Sequence, residues 1–192
     1  LVTAEWELGH FDAANAHIRA GLLSLADREP SQELADLYYA RFQLLNRLGD
    51  AAGVAETARD LLALAERLDS PQAEAEANLV ASISFLRQDN ITNARERALH
   101  ALMIGEQMGD PATCWRAHDA LVLTGSRLGD HQFMRYHSDR GLDAAKRLGA
   151  PTMEIRAQLR LAHAHFMAGD WDESLQNSIE AVVLSRRGGI PP

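Results

Sequence analysis

Three arginines, Arg47, Arg87 and Arg127, recur along the chain at a spacing of 40 residues. If they stack on successive units of a repeat, their guanidinium groups can hold carboxylates or phosphates of an extended ligand in bidentate geometry. The alternative is that each arginine lies in the last turn of a helix, where a cation complements the helix dipole. Glu7 and Met167 interrupt the column at the equivalent positions of the first and last units. Ligand binding and helix capping both remain open for these arginines.

The other reactive residue types do not form the constellations that catalysis or metal binding requires. His163 and His165 are two residues apart, so they point to nearly opposite sides of a helix and do not chelate one ion. His131 and His137 have no third ligand at a usable spacing. The sequence contains no HExxH string, no glycine-rich phosphate loop and no nucleophile elbow. We therefore expect no catalytic residue, no metal and no cofactor, in a protein that is not an enzyme.

Composition and charge indicate an acidic chain that is unsuited to nucleic acid. The 192 residues carry a formal net charge of −8, and 46% of them are apolar, which is ordinary for a folded domain. An acidic chain without a Lys/Arg stripe is repelled by nucleic-acid phosphates and by anionic membranes. No apolar run approaches the roughly 20 residues of a membrane span. The first residues do not have the basic and apolar pattern of a secretory leader, so secretion is not expected. Because the single Cys114 has no partner for an internal disulfide, we expect a cytoplasmic location.

Turn residues recur at the same spacing of 40 residues as the three arginines. They mark the boundaries of the helices that must carry the arginines. A period between 20 and 50 residues is typical of solenoids, in which each unit buries its apolar face only against its neighbours. Prolines recur at the other junction of each unit, at Pro71, Pro111, Pro151 and Pro191. The turn signals are Leu8-Gly9-His10, Leu48-Gly49-Asp50, Gln88-Asp89-Asn90, Leu128-Gly129-Asp130 and Ala168-Gly169-Asp170.

Each unit has the pattern of two antiparallel helices. In residues 31–48 and 52–68, apolar residues recur at three- and four-residue steps, which gives each helix one apolar stripe. A glycine at positive φ then ends the first helix, and the short connection forces the two helices to lie antiparallel. Side chains that accept hydrogen bonds follow these turns and are expected to cap the second helices: Asp50, Asn90, Asp130 and Asp170.

These patterns predict an all-α fold, an α-solenoid of antiparallel helix hairpins with 40-residue repeats. The chain is expected to form a single repeat domain over residues 1–192 and to be a fragment of a larger protein. Its units are approximately residues 1–29 (partial), 30–70, 71–110, 111–150 and 151–192.

The string Gly169-Asp170-Trp171-Asp172-Glu173-Ser174, running on to Ala181-Val182, resembles the second-helix signature of tetratricopeptide repeats. The resemblance covers the whole chain, with a unit of 40 residues instead of 34 and with Phe42 and Val122 where the family prefers Gly or Ala. This longer, alanine- and arginine-rich form is similar to the arrays of large bacterial signalling and transcriptional regulators. Those include LuxR-type ATP-binding regulators and nucleotide-cyclase fusions. The resemblance implies a right-handed superhelix.

In tetratricopeptide arrays the first helix of each hairpin lines a concave groove, and the resemblance assigns the equivalent positions of this chain to such a groove. The groove is implied to be apolar along its middle, with polar groups along both sides. Its apolar members have an alternative role, because they can pack adjacent first helices together. The candidate groove residues are Arg47, Arg87, Arg127, Tyr39, Gln43, Ile83, Leu123, His163, Arg116 and Arg156.

Two functions of different classes fit these observations. The first is a non-catalytic protein–protein interaction module of a bacterial signalling or transcriptional regulator, which binds a partner segment in the concave groove. That segment would belong to another protein or to the same polypeptide. The second is a small-molecule effector-sensing domain of a transcriptional activator. Exposed end repeats also suggest a homodimer, while nucleic acid and membranes are not expected partners of this segment.

Overall fold

The computed structural model describes residues 11–25 and 29–188, and every regular element in these ranges is an α-helix. The predicted turn at Leu8-Gly9-His10, together with Glu7 and Pro191, lies outside the described residues. The all-α solenoid fold class is confirmed, whereas the handedness and the single repeat domain of residues 1–192 stay predictions. None of the described helices combines the length and the hydropathy needed to cross a membrane.

The chain divides into two compact units. Unit one is residues 1–89 and unit two is residues 90–192. The described helices of unit one are α1 (Phe11–Leu25), α2 (Gln32–Leu48), α3 (Ala51–Leu68) and α4 (Pro71–Arg87). Those of unit two are α5 (Ile91–Met108), α6 (Pro111–Leu128), α7 (His131–Leu148), α8 (Pro151–Ala168) and α9 (Trp171–Arg187).

Consecutive helices pack against each other within each unit, and so do alternate ones, α2 with α4 and α6 with α8. These four alternate helices are the first helices of their hairpins, and α3, α5, α7 and α9 are the second helices. The contacts between alternate helices thus join first helices within each unit.

Residues in the left-handed region end most helices and turn the chain into the next one. Gly49, Gly129 and Gly169 do so with φ angles of 76°, 67° and 86°. The turn Gln88-Asp89-Asn90 has no glycine, and Asp89 itself adopts a φ of 58°. Aspartate visits this region more readily than most residues, because its short polar side chain can hydrogen-bond locally. The backbone geometry of the turn is therefore retained where the glycine is lost.

Side-chain caps begin three of the four second helices that follow such a turn. The carboxylates of Asp50 and Asp130 accept hydrogen bonds from the N–H groups of Gly53 and Phe133, at 2.9 and 3.0 Å, and Asn90 caps α5 in the same way. The predicted cap at Asp170 is wrong. No hydrogen bond joins its carboxylate to α9, because its Oδ2 atom lies 3.3 Å from Nδ1 of His165 instead.

Each unit buries its own apolar core. In unit one, Val54, Leu61 and Val80 lie in a cluster that includes Phe42. In unit two, Val122 packs with Met134 and Ala164 in one cluster, and a second cluster joins Leu142, Ala157 and Leu161. Phe42 and Val122, the bulky departures from the repeat signature, are thus core residues.

Candidate functional site

The first helices of unit one carry five of the predicted groove residues. Gln43 and Arg47 of α2 are exposed, as is Arg87 of α4. Tyr39 and Ile83 are half-buried and pack against the apolar core of unit one. The two apolar members therefore stabilise the hairpins as well as contributing to the surface.

The guanidinium group of Arg87 is held by the preceding first helix. Its Nε and Nη2 atoms donate to Oδ1 of Asn46 at 3.0 and 2.6 Å, and Nη2 also donates to the Asn46 backbone carbonyl at 2.8 Å. Asn46 lies in the last turn of α2, where helix carbonyls have no partner within the helix. Arg87 therefore places its positive charge at the C-terminus of α2 and not at that of its own helix, α4. Arg47 lies 5.4 Å from the ring centroid of Phe11 in α1.

The first helices of unit two carry the other five predicted residues. Leu123 and Arg116 of α6 are half-buried, while Arg127 of α6 and His163 and Arg156 of α8 are exposed. The structure thus places all ten predicted residues on first helices, five in each unit, and whether they bind a ligand stays a prediction.

An ionic cluster that joins α6 to α8 lies among these residues. Nε of Arg160 donates to Oδ1 of Asp119 at 2.7 Å, and Nη1 of Arg156 lies 3.9 Å from the other carboxylate oxygen. The guanidinium group of Arg156 also lies 5.6 Å from the ring centroid of buried Trp115. Arg156 keeps 59% of its side chain exposed. Arg160 is less exposed, at 29%, so Arg156 is the more accessible of the two arginines in this cluster.

Sequence reasoning missed Arg160 altogether. Its equivalents one and two repeats earlier are Ala120 and Val80, so no arginine column marks the position. The available signal was charge: the acidic Asp119 lies about one repeat earlier in the sequence, 41 residues before Arg160.

Apolar side chains along α8 are more exposed than the core-facing stripe predicts. Leu159 and Phe166 are 51% and 53% exposed, and exposed His163 lies between them in the sequence. The three residues follow the i, i+4, i+7 spacing of a single helix face. Phe166 also makes an edge-on contact with Trp171 of α9, with ring centroids 5.1 Å apart.

A buried histidine pair forms the second feature that the sequence did not reveal. Nδ1 of His118 in α6 lies 3.0 Å from Nδ1 of His137 in α7, and the two side chains are 7% and 5% exposed. Burial lowers the pKa of each to about 4, and the positive charge of Arg95 adds to the effect at His137. Both rings are therefore neutral near pH 7. The signal was helical spacing, because His118 follows buried Cys114 by four residues and so lies on the same core-facing stripe.

No cluster of three or more metal-ligating side chains is present among the described residues. The 3.0 Å separation of their Nδ1 atoms makes the two histidines a hydrogen-bonded pair, in which one ring donates its Nδ1–H group and the other accepts.

Comparison with known proteins identifies the fold. No protein-family model and no curated protein matches the chain. Among solved structures it is similar to the crystal structure of BtubC (BKLC) from P. vanneervenii, with a TM-score of 0.75 and 17% identity, covering 100% of this chain and 80% of that one. It is also similar to a signal transduction ATPase with numerous domains, a protein with a tetratricopeptide repeat sensor, from Pyrococcus horikoshii.

For that ATPase the TM-score is 0.72 and the identity 15%, and the match covers 96% of this chain. The chain spans only 28% of the length of the ATPase. At these identities the similarity concerns the fold. The chain has the architecture of helical-repeat proteins.

Proposed function

We propose that the chain is a non-catalytic, cytoplasmic regulatory module that binds a protein segment through its first helices. The observation that carries this proposal is the row of exposed Leu159, His163 and Phe166 on α8. Contiguous apolar surface with a polar rim is typical of protein interaction sites. An extended or helical segment can bury such a row with side chains of matching spacing.

The charge beside this row indicates the chemistry of the segment. Arg156 projects from the same first helix with 59% of its side chain exposed and one distant carboxylate contact, Asp119 at 3.9 Å. A carboxylate on the bound segment can pair with this guanidinium more closely than Asp119 does. The proposed partner is therefore a segment with apolar anchors next to an acidic residue, from another protein or from the same polypeptide.

The setting that this function suggests is a signalling or transcriptional regulator. The similar fold of a signal transduction ATPase with a tetratricopeptide repeat sensor supports this setting. In such a protein, segment binding by the repeats would couple recognition to a separate output domain.

A peptide selection tests the proposal. Peptides are selected from a random display library on the immobilised chain, and their Kd values are measured by fluorescence anisotropy. The double variant Leu159→Ser/Phe166→Ser removes the proposed anchors, and we expect binding to weaken about tenfold or more. The matched control is Leu175→Ser on the second helix α9, since Leu175 is equally apolar and 61% exposed.

Two results would contradict the proposal. One is selected peptides that bind the double variant as tightly as the parent chain. The other is a Leu175→Ser variant that loses as much affinity as the double variant, because binding would then depend on general surface hydrophobicity.

A further inference from the structure

A cavity of about 620 Å³ opens between α5, α6 and α7 of unit two. It lies among the second helices α5 and α7 and the N-terminal half of α6, and it contains none of the predicted groove residues. Its volume falls within the range of roughly 300–1,000 Å³ that is typical of small-molecule sites. The cavity is therefore large enough for an organic molecule of moderate size.

The walls of this cavity have an apolar side and a cationic side. Leu99 and Leu102 of α5 supply apolar surface, while Arg140 and Arg147 of α7 bring two positive charges. Among the described residues neither guanidinium group forms an ion pair with a carboxylate. Glu106 is the one acidic residue in the lining. With neutral histidines, the lining carries one excess positive charge.

Neutral polar groups complete the wall between these two sides. His118 and His137 both line the cavity, and their only hydrogen bond among the described residues is the one between their Nδ1 atoms. Whichever ring donates, the pair keeps one Nε2–H donor and one Nε2 acceptor. Burial raises the pKa of the Cys114 thiol, and nearby Glu106 raises it further. Cys114 therefore adds a neutral, weakly polar surface and no charge.

We propose that this cavity binds a small organic monocarboxylate, with its carboxylate between Arg140 and Arg147 and its apolar body against Leu99 and Leu102. Two arginines without carboxylate partners fit a bidentate anion. Among the lining residues, the excess of one positive charge matches a monoanion better than a dianionic phosphate, which Glu106 would repel more strongly. The site is separate from the first-helix surface and does not depend on the proposed segment binding. It would give the chain a sensing function of the effector type.

Calorimetric titration of the full chain with a set of named probes tests this assignment. The probes are hexanoate, phenylacetate and indole-3-acetate, with hexanamide, phenylacetamide and inorganic phosphate as comparisons. We expect at least one carboxylate to bind, and its neutral amide and phosphate to bind about tenfold more weakly or not at all. The ring signals of His118 and His137 in ¹H–¹⁵N spectra should shift on binding, which locates the site.

Variants then separate the two arginines from general surface charge. Arg140→Gln and Arg147→Gln should each weaken carboxylate binding about tenfold, whereas Arg135→Gln, an exposed arginine of the same helix outside the lining, should leave it unchanged. Circular dichroism confirms that each variant is folded.

Three outcomes would overturn the proposal. They are no binding by any of the three carboxylates, equal binding of an amide and its carboxylate, and equal effects of Arg147→Gln and Arg135→Gln.

Discussion

Arg87 and Arg160 each bind a side chain that lies 41 residues earlier in the chain. Because one repeat of 40 residues returns to the same position on the next hairpin, an offset of 41 joins neighbouring first helices. Arg87 thereby links α4 to Asn46 of α2, and Arg160 links α8 to Asp119 of α6. At Arg87 the sequence left ligand binding and helix capping open, and the structure shows a contact with a helix end. These two arginines thus join neighbouring first helices within their units.

We expect the histidine pair to make the stability of unit two depend on pH. The pKa values of His118 and His137 fall from the usual 6.5 to about 4 in the folded chain, chiefly because of burial. Between these values the unfolded chain binds more protons than the folded one, so the folded state loses stability as the pH falls. Above pH 6.5 both states are neutral and the effect is absent. The expected slope reaches about 1.4 kcal/mol per pH unit for each histidine.

Urea unfolding between pH 7 and pH 4 measures this slope. The double variant His118→Leu/His137→Phe removes both titrating groups and should flatten the curve, whatever its effect on stability at pH 7. His163→Gln, a change at an exposed histidine, serves as the control and should keep the steep dependence. An unchanged slope in the double variant would show that the pair does not titrate in this range.

At the scale of the helices, the turn carboxylates give a direct comparison between two hairpins of unit two. Asp130 caps α7 with a 3.0 Å bond to the Phe133 N–H group, whereas Asp170 makes no such bond to α9. Replacing a capping side chain by alanine costs about 1 kcal/mol. Asp130→Ala should therefore lower the free energy of unfolding by about that amount, and Asp170→Ala should cost clearly less. Thermal unfolding of the two variants side by side checks the prediction, and equal losses would contradict it.

The helices were predictable from sequence because two periodic signals agree along the chain. Apolar residues follow the helical period, and the turns follow the 40-residue repeat, so local and global patterns indicate the same hairpins. Even the turn without glycine fits the repeat, since Asp89 lies at the turn position and adopts a positive φ as the glycines do.

Pairings that do not repeat were hidden from this kind of reasoning. His118 contacts His137, 19 residues later, across one hairpin. His165 contacts Asp170, which was expected to cap α9 instead. Each contact depends on which residue faces the other in three dimensions, and no equivalent pair recurs in the other hairpins to reveal it. The candidate groove residues lie on first helices, but their partners, such as Asn46 for Arg87, were not foreseen.

At the scale of the whole molecule, each unit has its own buried residues, and the consequences of a core change should stay within that unit. Leu61 of α3 and Leu121 of α6 both have no exposed surface, and each lies in a different unit. Truncating a buried leucine to alanine costs about 2–5 kcal/mol. In repeat proteins such a loss lowers mainly the stability of the neighbouring repeats, because each repeat contacts only the repeats beside it.

Amide hydrogen exchange on the two variants distinguishes local from shared stability. Leu121→Ala should speed exchange most in α6 and in the helices that pack on it, α5, α7 and α8, with a smaller change in α2–α4. Leu61→Ala should give the opposite distribution, so that each variant is the control for the other. If both variants accelerated exchange equally along all described helices, the chain would unfold as a single cooperative body. The free energy of unfolding would then not be a sum of contributions from the single repeats and their interfaces, as is expected of a repeat array.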